Sequence, residues 1–137
     1  MPIQVVYFTI KDPQEKLRIL TQIAQKHLYQ KKPLHIVSPD KKGLNFISNL
    51  LWNYPLDSFT PHAIDLEPFS LIQLMLPQSS YKNIECLFNL TSQPIIQEPQ
   101  LKKIYELDDL SNPTKKEIFE KKFNFYQESG FQLCSNS

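Results

Sequence analysis

Ile3 to Ile10, IQVVYFTI, is the stretch that most narrows what this chain can become. It is β-branched and aromatic with almost no polar interruption, which is how a strand reads when both of its faces are buried. Asp12-Pro13-Gln14-Glu15 follows directly. It supplies an aspartate N-cap, a proline at the first helical position, where no N–H is needed, and a glutamate three residues after the cap. A doubly buried strand running into a helix is the opening of a parallel sheet, so the sequence predicts an α/β domain.

The rest of the chain repeats that alternation. Leu17, Leu20, Ala24 and Leu28 recur at helical spacing, joined by Ile23 and His27, and carry the first helix to about Gln30. Lys31-Lys32 then suits the negative end of its dipole. Leu34–Val37 is a second strand. Ser38-Pro39-Asp40 opens a second helix with Leu44, Ile47, Leu50 and Leu51 on one face, which Pro55 ends soon after Trp52. Strand, helix, strand, helix in this order implies a right-handed crossover and a parallel pair. Phe69–Leu76 and Ile84–Leu90 are two further strands, and Ile104–Leu107 a last short one. Asn112-Pro113 starts a final helix that runs to about Ser129, where Gly130 stops it and Phe131 folds back as the hydrophobic contact. There is no internal repeat and no low-complexity segment, so residues 1–137 are expected to form one domain.

Composition excludes several function classes. Only two of the 137 residues are glycine, Gly43 and Gly130, against eleven prolines. Loops that cradle phosphate need glycine for positive φ and for close backbone approach. Both the GxGxxG and the GxxxxGK[ST] patterns are absent, and no nucleotide or other cofactor is expected. A formal charge of +1 gives no global field for nucleic acid or membrane, so direct DNA contact is expected to be weak at most. No apolar run approaches the roughly 20 residues of a membrane helix. Cys86 in an apolar run and Cys134 in a polar tail do not form a disulfide framework, and the chain starts without a signal peptide. A cytoplasmic protein with reduced thiols is expected.

Catalytic signatures are equally thin. His27, His35 and His62 have no ligand-like spacing with each other or with either cysteine, so no metal site is expected. His27 falls on the apolar side of its helix and reads as a satisfied core or boundary histidine. No GxSxG elbow occurs. Asp108-Asp109 reads as a solvated pair favouring the helix that follows.

Two stretches stand out as binding surfaces. Leu50 to His62, LLWNYPLDSFTPH, holds the only tryptophan and is apolar and broken by proline. Trp52 either covers the helix end as core or anchors an interface, for which its composition is suited. In the last helix Phe119, Phe123 and Tyr126 share one stripe, flanked by Lys116 and Lys122. That stripe packs as core or, where partly exposed, receives an acidic peptide with an apolar end. The lysine doublets elsewhere are spread by about 100° per residue and form no concentrated patch.

Those stretches carry a resemblance. LLWNYPLDSFTPH resembles the signature of the chi subunit of bacterial DNA polymerase III holoenzyme, with Leu51, Trp52, Pro55, Ser58, Phe59, Pro61 and His62 in place. The VVYF strand, the long first helix, Pro77-Gln78, Asn89-Leu90 and the closing KKFNFYQESGFQL continue it over nearly the whole chain. The resemblance implies a three-layer α/β/α fold, with a mostly parallel central sheet and a mononucleotide-binding-like topology that lacks a nucleotide site. It implies no catalysis. It implies an accessory subunit of the clamp-loader complex, holding the acidic C-terminal tail of single-stranded-DNA-binding protein and a small psi subunit. The alternative it carries is a partner of a DNA repair helicase, with tail binding reduced or lost. Carried over by position, Trp52, Phe59, Pro61 and His62 would form the psi or helicase face. Lys116, Lys121, Lys122, Phe123 and Tyr126 would form the tail face. The family's basic, aromatic, basic triplet on that helix is here Glu120, Phe123 and Asn124, one charge reversed and one neutralised. A reversed charge in an anion site repels at short range, which leaves the neighbouring lysines to supply the attraction.

Overall fold

The computed structural model of the chain describes residues 3–53, 63–64, 71–77, 84–95 and 100–135, the side chains of 52, 53, 63 and 64 excepted. The elements run β1 (Gln4–Ile10), α1 (Pro13–Gln30), β2 (Leu34–Val37), α2 (Lys41–Asn53) and β3 (Ala63–Ile64). They continue with β4 (Ile72–Met75), β5 (Cys86–Asn89), β6 (Lys103–Asp109), α3 (Pro113–Glu128) and β7 (Gln132–Ser135). The strands form one sheet in the order β3-β4-β2-β5-β6-β1-β7. Every described pairing is parallel.

Alternation along the strands sorts the core into two layers. Leu34, Ile36, Leu74 and Phe88 pack with Leu20 and Ile23 of α1 and Leu51 of α2. Val37, Met75, Leu87 and Ile104 pack toward the other side, with Tyr126 of α3 and Phe131. This is the α/β/α sandwich expected from the sequence. β2 is buried along its whole length, His35 included, and its aliphatic Leu34, Ile36 and Val37 follow from that. β1 is less enclosed than IQVVYFTI suggests: Val5, Phe8 and Ile10 are buried, while Tyr7 is half-buried and Thr9 exposed.

Three expectations need correction. β1 and β2 run parallel but are not neighbours, because β5 and β6 enter the sheet between them. β6 is longer than Ile104–Leu107, since all seven of its residues pair with β1. It is also not the last strand. β7 adds to the free edge of β1, so Cys134 lies in a strand and not in a polar tail. Gln132–Ser135 lacks the β-branched alternation of a strand signal, since an edge strand paired on one side buries little of its surface.

Both glycines are structurally committed. Gly130 ends α3 at φ 82, and the Phe131 N–H then donates to the Tyr126 carbonyl at 3.0 Å, with the two rings stacked 5.5 Å apart. At Gly43 a Cβ would stand 2.4 Å from Ser38 Oγ, inside the turn that Asp40 caps by accepting from the Gly43 N–H at 2.7 Å. No glycine remains for α1, and Lys31 takes the left-handed position (φ 56) at its end.

His27 is the satisfied core histidine expected. Its Nδ1–H donates to the Lys32 carbonyl at 3.1 Å, and the Tyr105 hydroxyl donates to Nε2 at 2.8 Å, tying the end of α1 to β6. Burial lowers its pKa, against the opposing pull of the Lys32 carbonyl. Burial lowers that of His35 as well, against a hydrogen bond with Gln73.

A buried polar network fixes α3 on the sheet. Glu106 of β6 is fully buried. Its carboxylate accepts from Lys122 Nζ at 2.7 Å, from the Tyr126 hydroxyl at 2.5 Å and from Asn89 Nδ2 at 2.8 Å. Lys122 also donates to the Thr91 carbonyl at 2.9 Å, and the Tyr126 hydroxyl accepts the Ile95 N–H at 2.9 Å. Burial pushes the Glu106 pKa up, while Lys122, Tyr126 and Asn89 pull it back. The Tyr126 hydroxyl is pushed up by burial and by the carboxylate beside it.

Removing one partner strands the other as a buried charge, so Lys122→Met should cost about 3–5 kcal/mol of unfolding free energy. The double variant Lys122→Met/Glu106→Leu should regain most of that loss in urea denaturation. Equal losses in the single and double variants would show that the ion pair does not organise this layer. Because the folded state holds His27 and His35 with lowered pKa values, the unfolded state binds more protons. Stability should therefore be complete above about pH 6.5 and fall as the pH drops below it. His27→Gln should reduce that slope in denaturation series at pH 7 and pH 5.

Candidate partner-binding surface

Among the described residues, α3 carries the candidate tail face. Asn112 caps it by accepting from the Thr114 N–H at 2.8 Å, and Pro113 occupies the first turn. Helical spacing then turns Phe119, Lys122 and Tyr126 inward as one stripe. Lys122 and Tyr126, expected on the tail face, are buried in the Glu106 network and do not reach the exposed side of the helix. Lys116 and Lys121 are exposed as expected, but each faces an acid one turn away. Lys116 lies 4.0 Å from Glu120, and Lys121 lies 3.8 Å from Glu117. Exposed i,i+4 pairs of this kind are worth only about 0.3–0.5 kcal/mol, so either lysine can exchange its partner for a ligand. Phe125 is an exposed aromatic on the same outer side.

The two flanks of α3 differ in charge. On one, Phe123 is half-buried and meets Tyr7 edge-on, with ring centroids 5.8 Å apart. Together with Asp108, Glu120 and Asn124 these rings line a shallow pocket of about 390 Å³. Asp108 Oδ2 accepts from Thr9 at 3.3 Å, while its buried Oδ1 has no partner among the described residues. The charged groups on this flank are therefore acids.

The other flank closes a smaller pocket of about 170 Å³ between α3, the first turns of α1 and the ends of β5 and β6. Leu90, Leu107, Ile118 and Phe119 supply apolar wall, and Lys16, Lys115, Lys122 and Asp109 supply charge. Burial lowers the Lys16 pKa, Lys115 lowers it further, and Asp109 opposes both. Asp109 is itself buried, not solvated as its sequence context suggests. Burial raises its pKa, but the Ser111 hydroxyl (2.5 Å), the Ser111 N–H (2.9 Å) and Lys115 (3.5 Å) outweigh burial and hold it low.

The pocket lies where a parallel sheet usually places a ligand. The chain leaves β1 for α1 on one face and leaves neighbouring β6 for α3 on the other. A crevice opens beyond the carboxyl ends of strands at such a reversal. Lys16 and Lys115 were not singled out from sequence. Each stands in the first turn of a proline-started helix, and only the strand order brings those two helix starts together.

The other predicted face lies largely beyond view. Trp52 belongs to the last turn of α2 by its backbone. Its side chain, and all of Phe59, Pro61 and His62, lie outside the described residues. Among the described residues no group of three or more His, Cys, Asp and Glu could hold a metal ion. Cys86 and Cys134 are free thiols, and burial raises the Cys86 pKa away from nucleophilic use.

Comparisons with known proteins place this geometry. The crystal structure of T4 UvsW aligns with 98% of this chain at a TM-score of 0.60 and 10% identity, which shows a shared fold. The chain spans 41% of the length of that structure. No curated protein matches the chain in sequence. Residues 3–134 match the family described as DNA polymerase III chi subunit, HolC. That match takes in β1 through nearly all of β7, including α3 and both of its flanks. The chain belongs to the DNA polymerase III chi subunit family.

Proposed function

We propose that this chain is a non-catalytic accessory subunit of the clamp-loader complex. In this reading it acts as an adaptor between the acidic C-terminal tail of single-stranded-DNA-binding protein and a psi-like subunit. Family membership over residues 3–134 is the observation that carries this reading. The exposed Lys116 and Lys121 on α3, beside the half-buried Phe123, support a tail face on that helix. Trp52, Phe59, Pro61 and His62 are proposed for the psi or helicase face, on the strength of the matched signature alone. Catalysis would belong to other subunits, as an accessory role in this family implies. No described helix is long and apolar enough to cross a membrane, and a cytoplasmic location fits a replication subunit.

A second reading is favoured by one specific observation. Asp108 and Glu120 stand beside Phe123, where an acidic tail would be repelled. A chi-like partner of a DNA repair helicase, with weakened tail binding, would tolerate those acids.

Fluorescence anisotropy with a labelled peptide of acidic residues ending in phenylalanine separates the two. Binding at low salt that weakens steeply as salt rises supports the adaptor. Failure to bind at low salt would leave only the helicase reading. Trp52→Ala should leave the peptide affinity unchanged while abolishing pull-down of clamp-loader or helicase partners. Loss of both together would make Trp52 a structural residue.

A further inference from the structure

We propose that the crevice between Lys16 of α1 and Lys115 of α3 is a carboxylate site, taking the free C-terminus of an acidic peptide whose last side chain is apolar. The inference rests on the adaptor reading and moves its tail site from the Phe123 flank of α3 to the opposite one.

Size and lining support it first. The pocket holds about 170 Å³. An apolar cavity of roughly 150 Å³ accommodates a benzene ring. The walls from Leu90, Leu107 and Ile118 therefore have room for one aromatic or branched side chain, with the ammonium groups around it.

Charge supports it independently. Lys122 is neutralised by Glu106 at 2.7 Å, and Asp109 lies 3.5 Å from Lys115. Counting the charged groups that line the crevice together with Glu106 below it, Lys16, Lys115 and Lys122 face only Asp109 and Glu106, so one positive charge is left uncompensated. Lys16 and Lys115 line the same crevice, and their mutual repulsion, which lowers the Lys16 pKa, is relieved by a bound anion. Lys122 Nζ has assigned bonds to Glu106 and Thr91, two of the three that an ammonium can donate. The Phe123 flank has the reverse balance, since its lining holds Asp108 and Glu120 and no lysine, and Lys116, 4.0 Å from Glu120, offsets only one of the two acids. The same acidic ligand is attracted on one side of α3 and repelled on the other.

The test uses the full chain and the labelled acidic peptide ending in phenylalanine, with a free or an amidated C-terminus. Lys16→Gln and Lys115→Gln change partly exposed side chains and should keep the fold, the second with a slightly lower melting temperature because Asp109 loses one of its partners. Each should weaken the free-carboxylate peptide by about tenfold, as should amidation. Phe123→Ala should leave affinity within about twofold. If the peptide binds but the two lysine variants are unaffected and Phe123→Ala is not, the crevice assignment is wrong while the adaptor reading stands. Equal affinity for the amidated peptide overturns the carboxylate contact. If wild-type protein binds neither peptide at low salt, the adaptor reading and this inference fall together.

Discussion

The ion pair of Glu106 and Lys122 is the interaction on which the arrangement of this molecule turns. A carboxylate with no solvent exposure would be intolerable alone, and here every described contact on it is a donor. The donors come from two elements, Asn89 of β5 and Lys122 with Tyr126 of α3. Two of them also bond the segment that follows β5, Lys122 donating to the Thr91 carbonyl and the Tyr126 hydroxyl accepting the Ile95 N–H. Satisfying one buried charge thus fixes the roll of α3 on the sheet and the path of residues 91–95. Apolar packing alone would hold a helix with more freedom to rotate, whereas a hydrogen-bonded charge admits one orientation.

That orientation decides what the helix shows. With Phe119, Lys122 and Tyr126 turned inward, Phe123 is left on one shoulder, and Lys115 with Ile118 on the other. The outer surface keeps two lysines and two acids in near balance. Charge along α3 is thus segregated by flank even though the helix as a whole is close to neutral. A site of definite sign can exist on a protein whose net charge is +1.

Much of this was legible in the sequence, and the failures have physical causes. The proline-capped starts of α1 and α3, the Gly130 stop and the Phe131 contact follow from local chemistry that needs no partner. β2 was legible as a short strand over Leu34–Val37, and the structure buries all four of its residues. β7 was missed because an edge strand paired only to β1 need not be apolar. Lys122 was read as a surface cation because its position alone suggests solvent. The glutamate that draws it inward is sixteen residues away on a different element. Lys16 and Lys115 were invisible for a similar reason. They meet only because β1 and β6 are neighbours, a fact of strand order that spacing does not encode.

The same strand order has a bearing on how the chain reaches its native state. β1 is made before every other element described above, yet both of its sheet partners, β6 and β7, come from the final third of the sequence. It must wait for about a hundred further residues before either edge can pair, which gives the domain a high contact order and a slow nucleation step. During synthesis IQVVYFTI is an apolar strand with no sheet to join, the kind of segment that chaperones hold. The run that commits this chain to a parallel sheet is thus also its most exposed hazard until β6 arrives.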